Sequence, residues 1–227
     1  MSMAAALRGQ AQSCARPGWP FMARLLTLLA GHWPEDGALA QTCAAWSGDI
    51  GPNGASLPLR VASGLHALVL RGNAALAAVY PPQAASDADL IAAVLSALAR
   101  HEAFLCDWIA RPPQTNEVRR SAAIIAAAHW IASRHPLPLI TSELGASAGL
   151  NLMWDRYALR TGIGTLGPSD AALVLAPDWT GPFPAAAKVT VRDRAGVDLT
   201  PLDLSDAEQV LRLLSYLWPD QPERMAL

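Results

Sequence analysis

No segment of this 227-residue sequence is both apolar and long enough to span a bilayer. The longest apolar run free of charge is AAIIAAAHWIAS at 122–133, short of the about 20 residues that a spanning helix needs. The opening MSMAAALRGQAQ lacks a basic segment followed by an apolar one, so no secretory signal is read there and the expected location is cytoplasmic. Cysteine is scarce. Cys14, Cys43 and Cys106 lie far apart and form no C-x-x-C pair, which reads as reduced structural thiols. Histidine never falls in H-x-x-H or H-E-x-x-H spacing, so no metal site is expected. Charge is also low: 16% of residues against roughly 25% in an average soluble domain, which points to a sizeable buried core. The net charge is −2 with no basic stripe, which argues against nucleic acid as a partner.

What is present changes texture along the chain. Residues 1–135 read as a helical N-terminal subdomain. WPFMARLLTLLAGHW (19–33), LPLRVASGLHALVLRG (57–72), SDADLIAAVLSALARHEAFLCDWIAR (86–111) and NEVRRSAAIIAAAHWIASRH (116–135) carry apolar residues at helical spacing and stop at glycine or proline. Ser86 is the expected N-cap of the longest, with Asp87 and Asp89 in its first turn. From Pro136 to residue 227 the chain reads as α/β: strand-like runs at 137–144, 171–177 and 188–194, a short helix at 150–160, and a helix at 205–218 with Ser205 and Glu208 as a capping box. The expected fold class is therefore a helical N-terminal half followed by a Rossmann-like sheet. Only about three strands are legible, where a doubly wound sheet usually has five or more. The sheet is expected to be incomplete at the C-terminus, and an unpaired edge there would favour a homodimer.

The stretch TSELGASAGLN (141–151) joins an apolar run to a helix-like one through Gly145, Ser147 and Gly149. It admits two functional readings and one structural reading. As G-x-S-x-G it is a nucleophile elbow with Ser147 attacking. In that fold the histidine follows the serine, whereas all five histidines here, from His32 to His135, precede Ser147. As a cofactor loop, the glycines let a ligand approach backbone N–H groups at a helix start. Glu143 then stands at the carboxyl end of the strand, where its charge suits an ammonium or sulfonium group better than a phosphate. The structural reading is a tight strand-to-helix turn.

E-x-G-x-S-x-G at 143–149 resembles the first motif of class I S-adenosylmethionine-dependent methyltransferases, with Ser147 in place of the middle glycine. RAGVDLTPLDLSD (194–206) resembles the end of their second strand, and the matching acid is Asp198. The resemblance implies S-adenosylmethionine as cofactor, held by Glu143, Gly145, Ser147, Gly149 and Asp198. Asp198 comes much later than the usual interval of about 20 residues, so 157–187 would be an insertion. The blocks QTNEVRRS (114–121), ELGASAGLNLMWDRY (143–157), GVDLTPLD (196–203) and LWPDQPER (217–224) carry a further likeness. Through them the chain resembles, over nearly its whole length, an uncharacterised bacterial domain-of-unknown-function family, described as methyltransferase-like. Members of that family generally continue further, which is the second reason to expect a truncated sheet.

Other polar residues complete the candidate site. Gln114, Asn116 and Glu117 are placed to reach a ligand, or else Thr115 or Asn116 caps the following helix. Asn151, Arg156 and Tyr157 follow the loop as candidate substrate contacts, and Asp155 with Arg156 reads as a local ion pair. Trp154 reads as core. Glu117 and Asp155 are the two weak candidates for a catalytic base. The expected activity is methyl transfer to an unidentified acceptor. A non-catalytic ligand-binding or protein-interaction module of the same fold is the alternative, and a serine hydrolase using Ser147 is the third reading.

Overall fold

The computed structural model describes residues 1–16 and 18–225. Helices come first: α1 (Met3–Ala15), α2 (Pro20–His32), α3 (Ala38–Ala44), α4 (Leu57–Leu70), α5 (Ala74–Ala77), α6 (Asp87–Arg100), α7 (Glu102–Ala110) and α8 (Ser121–Ala132). Then come β1 (Leu139–Leu144), β2 (Tyr157–Arg160), β3 (Thr165–Leu166), β4 (Leu173–Leu175) and β5 (Val191–Val197), and finally α9 (Ala207–Ser215) and α10 (Pro222–Met225). The architecture is mixed α/β, about half helical, with small sheets. No helix among the described residues is long and apolar enough to cross a membrane.

By contacts the chain forms two compact units, Met1–Gln114 joined by the segment that begins at Ala207, and Thr115–Asp206. The division differs from a boundary at Pro136. α8 falls in the second unit because Ala122, Ile125 and Ala126 share a core with Trp154, Tyr157, Leu159, Leu166 and Leu175. α9 falls in the first, where Tyr216 and Trp218, just beyond it, join the helical core.

In the first unit, α6 begins as its sequence predicts: Ser86 Oγ accepts the Asp89 N–H at 3.1 Å. The single long helix expected over 86–111 is broken at His101, which leaves helical geometry at φ −120° between α6 and α7. The His101 ring meets Asn73 Nδ2 at 3.1 Å, an anchor that sequence periodicity does not register. Leu7, Leu25, Leu26, Leu65, Leu90 and Leu105 are fully buried in this core. All three cysteines are free; Cys14 and Cys43 are buried, and burial pushes the Cys43 thiol up to about 12. Before α9 the expected capping box is not what holds Ser205, whose hydroxyl donates to Asp203 Oδ1 at 2.7 Å. Glu208 pairs with Arg71.

In the second unit the expected helix at 116–135 starts as a 3-10 turn, Val118–Arg120, before α8. The expected helix at 150–160 is a 3-10 helix over Leu150–Arg156, after which the chain extends as β2. β2 lies between β3, antiparallel, and β4, parallel. β1 and β5 form a separate parallel pair with Glu143 opposite Gly196 and Leu144 opposite Val197. The intervening residues thus build their own sheet, and β1 and β5 meet as direct neighbours. The parallel sheet has two strands among the described residues, so the described chain does not show a full doubly wound sheet.

Candidate functional site

Two parallel strands that are neighbours also end side by side, and the polar residues that follow them meet there. Beyond β1 the chain turns through Gly145–Gly149. Gly145 (φ +74°), Ser147 (φ +51°) and Gly149 (φ +72°) are left-handed at alternate positions. Glycine adopts this region freely, while a residue with a Cβ pays about 1–2 kcal/mol for it. Ser147 is kept there by bonds on both sides of its backbone: its N–H donates to Asp198 Oδ2 at 2.8 Å, and its carbonyl accepts the Leu202 N–H at 3.1 Å. The loop start is fixed to β5, because the Gly145 and Ala146 N–H groups both donate to the Val197 carbonyl, at 2.8 and 3.1 Å. Its end is fixed by Asn116, which accepts the Leu150 N–H on Oδ1 at 2.8 Å and donates from Nδ2 to the Ala146 carbonyl at 3.4 Å.

Gly196 lets the loop lie this close to β5. A Cβ there would stand 2.7 Å from Ala146 Cβ and 2.8 Å from Leu152 Cδ1. Gly145 is the opposite case, since a Cβ there would meet nothing within 4 Å. Space over that peptide is open to a ligand.

Glu143 is half-buried at the end of β1. Its Oε2 is sealed from solvent and has no hydrogen-bond partner. Burial pushes its carboxyl up, opposed by the Asn151 side chain and by the charge of Arg120. Asn151 is itself buried and accepts from Ser121 Oγ at 2.9 Å, so α8 steadies the amide that faces the acid. Asp198 is held below the usual carboxylate range by N–H groups of Thr200 and Ser147. Glu143, Gly145, Ser147, Gly149, Asp198, Asn116 and Asn151 therefore converge on one strand end.

Over residues 4–227 the sequence matches a family described as an uncharacterized protein conserved in bacteria (DUF2332). The chain belongs to this family. No curated protein and no solved structure matches it.

The remaining candidates of this DUF2332 chain have the following contacts. Asp155 does not pair with Arg156. It forms a two-pronged ion pair with Arg194, at 2.8 Å from Nη1 and 3.0 Å from Nη2, because β5 brings that guanidinium beside the 3-10 helix. Arg156 is exposed, and its carbonyl accepts the Ala172 N–H beside β4. Tyr157 is buried, and its hydroxyl donates to the Leu150 carbonyl at 2.8 Å. Asp155 and Tyr157 line a cavity of about 260 Å³ with His129 and Lys188, which does not include the glycine loop. Glu117 caps the 3-10 turn by accepting the Arg119 N–H at 3.2 Å, so the expected cap at Thr115 or Asn116 moves to Glu117. Gln114 closes the first unit and is buried. Among the described residues no three His, Cys, Asp or Glu are arranged to hold a metal ion.

Sequence reading missed Gly196, Ser121 and Arg194. Gly196 was open to notice, two residues before Asp198 in RAGVD. The roles of Ser121 and Arg194 arise only from tertiary contacts.

Proposed function

We propose that this chain binds S-adenosylmethionine at the loop after β1 and is a methyltransferase-like protein whose Rossmann-type sheet is represented here by the β1–β5 pair. The observation that carries this reading is Glu143. Its Oε2 is buried and unpartnered at the carboxyl end of a parallel strand, beside a loop with open space over Gly145. An orphaned carboxylate oxygen favours a cationic or N–H-bearing ligand group over a phosphate.

The donor set fits the cofactor. Glu143 would face its ammonium group, Gly145 would admit it to the backbone, and Asp198 would receive the ribose hydroxyls. Both Asp198 oxygens already accept a backbone N–H, but a carboxylate oxygen has a second lone pair to offer. When bound, the cofactor supplies an electrophilic methyl group on a sulfonium. The chain's own part is to hold the loop rigid: Asn116, Asp198 and Gly196 set the backbone, and Asn151 orients Glu143. We assign no catalytic base, since Asp155 is committed to Arg194 and Glu117 to the turn it caps.

Thermal unfolding with S-adenosylmethionine, and with ATP and NAD as controls, tests the reading. Ligand at about 100 times its Kd adds about 2.7 kcal/mol, a rise of roughly 5–10 °C for a chain of this size. The rise should be absent with Glu143→Gln, which keeps shape and removes charge. No rise in the native chain, or a rise unchanged by that substitution, rejects the assignment. Binding without transfer to any acceptor would select the ligand-binding module.

A further inference from the structure

The first unit buries two arginines that lack carboxylate partners. Arg60 on α4 is 7% exposed and Arg212 on α9 is 6% exposed. Arg60 donates from Nε to the Ala55 carbonyl at 2.6 Å and from Nη1 to the Ile109 carbonyl at 2.8 Å. Arg212 donates from Nη1 to the Trp108 carbonyl at 3.4 Å. Trp108 and Ile109 are consecutive, so both guanidinium heads reach the C-terminal turn of α7. Arg212 lies 4.0 Å from the centre of the Trp108 ring, and Arg60 lies 5.1 Å from that of Trp46.

Capping of α7 explains these carbonyl bonds but not the charge. A helix C-terminus supplies roughly half a negative charge, against two guanidiniums that do not lose their protons. The other groups acting on Arg212 are Tyr216, Arg111 and Asp107. Asp107 is exposed and pairs with Arg111 at 3.5 Å, so its carboxylate is shared between that surface guanidinium and the buried Arg212.

Tyr216 is an independent sign. It is 2% exposed, and its hydroxyl has no hydrogen-bond partner at bonding geometry. The neighbouring Ser63 Oγ already accepts from Trp108 Nε1 at 2.9 Å and donates to the Arg60 carbonyl at 3.0 Å. Both arginines act on the Tyr216 phenol. Two buried guanidiniums and an unpartnered phenol are groups that bind an oxyanion.

We propose that Arg60, Arg212 and Tyr216 form a binding site in the helical unit for the carboxylate or phosphate group of a small molecule. The site uses none of the residues around Glu143 and stands whether or not that loop binds a cofactor.

Calorimetric titration with inorganic phosphate, and separately with malonate, tests it at constant ionic strength set with chloride. The expected result is saturable binding of one anion per chain, and the tighter of the two identifies the head group. Arg212→Gln should weaken binding at least tenfold, and Tyr216→Phe several-fold. Tyr216→Phe removes only an unpartnered hydroxyl, so it decides the question if Arg212→Gln fails to fold. Absence of saturable binding of both anions by the native chain, or affinity unchanged in Tyr216→Phe, overturns the proposal.

Discussion

Asp198 accepts the Ser147 N–H at 2.8 Å across 51 residues of sequence. The bond ties the end of β5 to the left-handed serine in the loop after β1. Its second oxygen accepts the Thr200 N–H at 2.8 Å, so one side chain organises both strand ends. Asp198→Asn weakens one of these acceptors. The Ser147 amide should then exchange its hydrogen faster, as read by hydrogen exchange with mass spectrometry. The folded carboxyl titrates below its unfolded value of about 3.9. Its stabilising contribution is therefore full above that pH and lost as pH falls through the lowered folded value. The acid limb of the native unfolding profile should flatten in Asp198→Asn.

Gly196→Ala should destabilise the second unit by about 1–3 kcal/mol, the usual range for overpacking. The new Cβ would stand 2.7 Å from Ala146 Cβ, which has no rotamer to change. Gly145→Ala should cost only about 1 kcal/mol, from positive φ alone. Urea unfolding of both variants gives the comparison. Equal costs would mean that the loop does not pack on β5 as described.

Asp155 and Arg194 should show a coupling energy of roughly 1–2 kcal/mol in a double-mutant cycle, above the usual range for an exposed pair. Both oxygens and both terminal nitrogens take part, and the side chains are 19% and 27% exposed. Arg156→Ala should leave stability within about 0.5 kcal/mol of the native chain. A larger loss in Arg156→Ala than in Arg194→Ala would restore the Asp155–Arg156 pairing.

His66 and His129 are both pushed down chiefly by burial. His66 Nδ1 donates to the Ser215 carbonyl at 3.1 Å, and His129 Nδ1 accepts the Ala187 N–H at 3.0 Å. The unfolded chain binds protons at about pH 6.5, above the folded groups. Stability is thus full above that pH and is lost as pH falls toward the depressed folded values. Urea midpoints at pH 7.5 and pH 5 should differ, with a smaller difference in His129→Gln. An equal difference would remove His129 from the account.

Local features were legible in the order of residues alone. The change from helical to strand texture at Pro136, the Ser86 cap and the acid-then-glycine turn at Glu143–Gly149 depend on near neighbours. Their physical causes are periodicity, capping and backbone freedom, and all of these act within a turn or two. The placement of Asp198 beside the loop was anticipated only through resemblance, because no local rule pairs residues that far apart. Tertiary structure decided the rest. It broke the long helix at His101, turned Tyr157 from an expected helix residue into a buried strand residue, gave Asp155 to Arg194, and brought Arg60 and Arg212 to the end of α7. Each of those outcomes turns on which distant surface a side chain meets. A charge looks the same in sequence whether it ends in water, in an ion pair or buried against an indole. Only packing chooses among them, through the cost of burying a polar group and the bonds that offset it.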